Sequence, residues 1–133
     1  MRTTARETVF KIVFASQFTE YEPPFKNALY KADNLDENDR EYCDKVLKLV
    51  EEHREEFEKI LDEHSKLFPA SGVFPADKSA LFIALAEILF VEDIPSVVSV
   101  NEAANIASKY SSEKSASFVS GILSEIIKER GNV

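Results

Sequence analysis

The run ALFIALAEILFV, residues 80–91, constrains this chain most. It is apolar nearly all the way round a helical wheel, and one acid, Glu87, interrupts it. A helix without a polar face has to be surrounded by other elements, so this segment predicts a central buried helix. It is too short for a bilayer, which takes ~20 apolar residues. With 133 residues, the chain is long enough for one domain that buries roughly 70% of its unfolded surface. Three glycines and five prolines are few for the many turns of an all-β fold.

The segments on either side also carry helical periods. Thr4-Ala5-Arg6-Glu7 has the spacing of a capping box, and Val9, Phe10, Ile12, Val13, Phe14 and Phe18 follow it, predicting a helix over about 4–18. A short helix over 25–32 follows Pro23-Pro24. The cluster from Asp33 to Asp36 caps a longer pattern: Tyr42, Val46, Leu49 and Val50, then Phe57, Ile60, Leu61, His64 and Phe68. No proline or glycine divides it, so it is either two helices or one kinked helix. Pro69-Ala70-Ser71-Gly72 breaks the pattern and Pro75 opens the next helix. Ser99 and Glu102 form a second capping-box spacing, predicting a helix from Ser99 with Val100, Ala103, Ala107 and Tyr110 on one face. Ser111-Ser112 caps a last helix through Ile127. Gly121 lies inside that helix, where glycine costs ~1 kcal/mol against alanine, and predicts a close backbone approach to the small face of Ala103 and Ala107. The expected architecture is all-α: six or seven helices in one domain over 1–133, as two small bundles over about 1–68 and 74–130.

The net charge of −8 argues against a generic nucleic-acid binder. The charge is uneven, however. Residues 1–19 carry Arg2, Arg6 and Lys11 against Glu7, a net +2, while 20–66 carry fifteen acids against eight bases. Lys109-Tyr110, Lys114 and Phe118 interleave base and aromatic near the junction of the last two helices. Ammonium groups pair with phosphates and aromatic faces stack unpaired bases, so this cluster and the basic N-terminal end are the candidate RNA contacts. Other chemistry has little to stand on. His53 and His64 could share a helix face with Glu56 near, but no second ligand cluster supports a metal site. Cys43 has no base beside it in sequence, and as the single cysteine it fits a reducing compartment. No P-loop, dinucleotide fingerprint or G-x-S-x-G is present. The N-terminus has no signal-peptide pattern, and the expected location is the cytoplasm.

The segment DIPSVVSVNEAANIASKYSSEKSASFVSGIL resembles the C-terminal signature of the NusB family of bacterial transcription antitermination factors, with Asn101-Glu102-Ala103 and Phe118-Val119-Ser120-Gly121-Ile122-Leu123 at matching places. ADKSALFIALAEILF is similar to the family's apolar helix ending in a Glu, and TTARETVFKIVFASQF to its Ala-Arg-Glu start. The three blocks match in order. The resemblance implies two helical bundles, no catalysis and no cofactor. It implies a partnership with NusE, a small-subunit ribosomal protein, on the boxA element of ribosomal RNA transcripts, within an RNA polymerase antitermination complex. It places Arg2 and Arg6 in an arginine-rich region that contacts RNA, Tyr110 and Phe118 at aromatic positions near RNA, and Lys114 where an acid is common. It places Phe14 and Asp77 facing NusE. The sequence departs from the pattern at Thr3 and Thr4, where bases are frequent, at Phe82 for a usual Arg, and at Ser120 for a usual Asn. The expected phosphate contacts are Arg2, Arg6, Lys109 and Lys114. The rival expectation is a protein-interaction module of the same fold without RNA binding. A homodimer is compatible with both. A catalytic role, as in RNA methyltransferases that carry this fold, lacks a cofactor-binding region in these residues.

Overall fold

The computed structural model describes residues 1–65 and 73–131. Among these it contains six helices and no strand: α1 Arg2–Ser16, α2 Pro23–Ala32, α3 Glu37–His64, α4 Pro75–Phe90, α5 Ser96–Tyr110 and α6 Glu113–Arg130. Phe68 and the expected break at Pro69–Gly72 lie outside the described residues.

α4 is the hub. Every residue from Ser79 to Glu87 is buried, and α1, α3, α5 and α6 all pack against this helix. Pro75 stands at its N-terminus, where the missing N–H has no intrahelical partner to lose. Buried side chains of α1, α3, α4, α5 and α6 join in one continuous core.

The long pattern after Asp36 is one helix with a kink at His53 (φ −114°, ψ 15°). The His53 ring stacks on Phe90 at 4.1 Å and lies 5.9 Å from Phe57. Beyond the kink α3 turns to new neighbours. Arg54 donates to the Ser16 hydroxyl of α1, Glu58 pairs with Lys78 of α4 at 2.8 Å, and His64 lies between Glu125 and Glu129 of α6.

Two of the expected caps hold. Asp36 accepts the Asp39 N–H, and Ser112 accepts the Ser115 N–H. The two capping boxes do not. α1 begins at Arg2 and α5 at Ser96, so Thr4 and Ser99 lie inside their helices. The side chains that would have closed the boxes bond to other helices instead. Glu7 accepts from α5, and Ser99 donates to Glu87 of α4 at 2.7 Å. Gly121 also departs from expectation. It faces solvent, and a Cβ built there meets nothing within 4 Å, so the small face of Ala103 and Ala107 is buried against other parts of the core.

Candidate nucleic-acid interface

Thr3, Glu7, Phe10 and Phe14 recur on one stripe of α1, Phe18 follows in the turn beyond it, and α5 packs along the first half. Thr3 donates to Glu102 at 3.2 Å. One turn on, Glu7 Oε1 accepts from Lys109 Nζ at 2.6 Å and from the Tyr110 hydroxyl at 2.7 Å. The next turn puts Phe10 against the Tyr110 ring, centroids 4.7 Å apart and nearly parallel. Phe14 continues the stack at 6.1 Å from Phe10, and Phe18 meets Phe14 edge-on at 5.2 Å. The stripe therefore runs from polar and cationic at the start of α1 to apolar and exposed at its end, where Phe18 is 65% accessible.

The charges near this stripe are held in pairs. Burial opposes the Glu7 carboxylate, but the bonds from Lys109 and Tyr110 outweigh it and hold Glu7 below the usual carboxylate range. The same bond raises the Lys109 ammonium. Arg2 lies 4.4 Å over the Tyr42 ring and 3.9 Å from Asp39, whose other oxygen takes the terminal ammonium at 2.8 Å. Lys11 pairs with Asp33 at 3.2 Å. Lys114 is exposed in the first turn of α6, and Phe118, one turn on, is half-buried against the core.

Arg6 is not on this surface. It is 5% exposed, and its guanidinium is aimed into the core, where Nε and Nη2 reach Glu87 at 2.8 and 3.3 Å. Glu87, 1% exposed, also accepts from Ser99 and from the Tyr42 hydroxyl. One carboxylate thus ties α1, α3 and α5 to α4. A buried charge has to be paired and hydrogen-bonded, and Arg6 is the cation that does this for the lone acid of the apolar run. In this structure the Arg6 guanidinium is spent on Glu87, with Glu102 3.8 Å from Nη1. Asp77 is buried too, so it presents no carboxylate to a partner. It accepts from Ser115 at 3.1 Å and fastens the start of α6 to the start of α4. Burial raises its carboxyl, against the bonds from Ser115 and Ser111.

Glu7, Glu87, Ser99 and Gln17 bond across helices, which local spacing does not reveal. Gln17 donates to the Pro75 carbonyl and the Ser79 hydroxyl, holding the exposed end of α1 beside the start of α4. Only Glu87 left a signal, as an acid in an apolar run that needs a buried cation. Cys43 is buried with its thiol toward the Ala5 carbonyl, and burial pushes it up to about 12, which keeps it a thiol. Among the described residues no group of three or more His, Cys, Asp or Glu is arranged to hold a metal ion, and no helix is long and apolar enough to cross a membrane.

The NusB family profile matches residues 3–128. A transcription antitermination protein NusB of Acetivibrio thermocellus is 35% identical over 129 residues, which are 96% of this chain and 88% of that protein. Another, of Methylacidiphilum infernorum, is 40% identical over 97 residues, 73% of this chain and 68% of that one. Among solved structures, T. maritima NusB matches with a TM-score of 0.85 at 27% identity, over 97% of this chain and 92% of that one. A chain from the structure of antitermination factors NusB and NusE in complex with dsRNA matches with a TM-score of 0.86 at 24% identity, over 96% of each. The chain belongs to the NusB family.

Proposed function

We propose that this protein is a transcription antitermination factor that pairs with NusE and binds boxA RNA of ribosomal RNA transcripts in the cytoplasm, without catalysing a reaction. The observation that carries the proposal is the α1 stripe. Its first half sets Lys109 and Tyr110 beside Phe10, a cation and a ring suited to phosphate and base. Its second half sets Phe14 and Phe18 in water, an apolar surface suited to a protein. A NusB of this fold has been solved with NusE and dsRNA together, which accords with the two halves serving two partners. We assign RNA contact to Arg2, Lys109, Tyr110, Lys114 and Phe118, and NusE contact to Phe14 with Phe18 beside it. Asp77, the other residue expected to face NusE, is buried at the start of α4 and accepts from Ser115 of α6.

Fluorescence anisotropy of a boxA oligonucleotide against a scrambled one, at two salt concentrations, with and without NusE, tests this. Selective binding that strengthens with NusE and weakens in salt is expected. A stable NusE complex with no selective RNA binding would favour the interaction-module reading. Equal boxA affinity with and without NusE would contradict the partnership.

A further inference from the structure

Glu7 does not help build the core. It is partly exposed, and its Oε1 spends both short bonds on Lys109 and Tyr110, a cation and a hydroxyl that a phosphate oxygen would take. A carboxylate oxygen at 2.6 to 2.7 Å offers these donors the same thing as phosphate: a negative acceptor at charge-assisted distance. Among the described residues, Glu7 is the acid paired with Lys109. Lys109 is itself 61% exposed, and its ammonium also lies 5.4 Å from the centre of the Tyr110 ring. Tyr110, stacked on Phe10, is 37% exposed as well.

We propose that Glu7 is an internal competitor for RNA phosphate, a latch that occupies Lys109 and Tyr110 until RNA displaces it. The inference rests on the RNA-binding reading above and deepens it. RNA that docks here exchanges one acceptor for another at Lys109 and Tyr110, and it meets the freed Glu7 charge. The penalty falls equally on every RNA. Weak, non-selective RNA is kept off, and RNA that also gains base contacts or is held by a bound partner stays on. The opposing possibility is that Glu7 holds Lys109 and Tyr110 in their binding pose, in which case its loss weakens RNA.

Glu7→Gln distinguishes the two. The substitution keeps the shape and the helix and removes the charge. Anisotropy titrations with boxA and scrambled oligonucleotides, in the presence of NusE, read both affinity and salt slope. The expected result is a gain of roughly 1.4- to fivefold for both oligonucleotides by a common factor, as for loss of an exposed ion pair. The slope of log affinity against log salt steepens by up to about 0.7 to 0.9, because the Lys109–phosphate contact is no longer offset by an ion pair broken within the protein. In a Lys109→Gln background, Glu7→Gln should leave the slope unchanged. Circular dichroism melts check that each variant is folded. If the wild type binds and Glu7→Gln binds equally or more weakly, the latch is wrong and the RNA reading stands. If only Glu7→Gln binds, the latch is supported. If neither binds RNA, the RNA reading fails and the latch falls with it.

Discussion

Replacing Arg6 by methionine tests the core and the interface together. Methionine keeps the long apolar stem and removes the guanidinium. Glu87 then remains 1% exposed with only the hydroxyls of Tyr42 and Ser99 to answer its charge. Removing one partner of a buried ion pair costs about 3–5 kcal/mol. Unfolding entropy near ~2.1 cal/mol/K per residue makes each kcal/mol worth about 3–4 °C in a chain of 133 residues. The melting temperature of Arg6→Met should therefore fall by about 10–18 °C. Adding Glu87→Gln removes the stranded charge and leaves a carbonyl for Tyr42 and Ser99, so the double variant should recover at least half of the loss. Thermal melts by circular dichroism read both. A loss under ~1 kcal/mol for Arg6→Met, or a double variant no better than the single, would refute the buried pair. The double variant, assayed well below its melt, should keep the wild-type salt slope for RNA. A slope shallower by about 0.7 to 0.9 would mean that Arg6 does touch phosphate.

Gly121→Ala should raise stability by ~1 kcal/mol, because the site is helical, exposed and open, and a thermal melt that falls would show a packing role. Burial raises the Asp77 carboxyl above its unfolded value, so the folded protein holds that proton more tightly than the unfolded chain. Its contribution is fully present below the ordinary carboxylate range and is lost as pH rises through the raised value. Asp77→Asn should therefore gain on the wild type between pH 3 and pH 7, and a difference in urea midpoint that does not change with pH would contradict this. Phe18→Asp should leave the melt within about 2 °C, since exposed sites cost little, and abolish NusE binding in calorimetry. Undiminished binding would move the partner surface elsewhere.

The helices were legible where side-chain pattern alone decides them. The run at 80–91 could only be central, and it is. Asp36 and Ser112 were legible as caps because each side chain bonds the backbone three residues on and has no stronger partner. Glu7 and Ser99 have similar local spacing but were misread. Their partners lie 102 and 12 residues away, and a charged donor or a buried carboxylate outcompetes a backbone N–H. A capping motif records what is possible within one turn and carries nothing about what packs across it. Gly121 was misread similarly, since a missing Cβ marks a close approach only when another backbone arrives there. The RNA-facing candidates divide along the same line. Lys109 and Tyr110 are legible from the interleaving of base and aromatic, and the partner that holds them is not.

The same pairing bears on how an acidic protein meets RNA. Arg2 lies beside Asp39, Lys11 is paired with Asp33 and Lys109 with Glu7, so the basic end of α1 is closer to neutral than its count of bases implies. Salt weakens these internal pairs as well as the contacts with phosphate. Binding is then an exchange of ion pairs more than a gain of them, and the salt slope should be shallower than the number of cations on the face predicts. Lys114 has no acid paired with it among the described residues, so of the assigned contacts it is the cation that meets phosphate at least cost. In the proposed assignment, stacking on Tyr110 and a second protein on Phe14 and Phe18 supply the affinity that exchange does not. The proposed partner and RNA contacts then lie along one stripe of α1 and the turn after it.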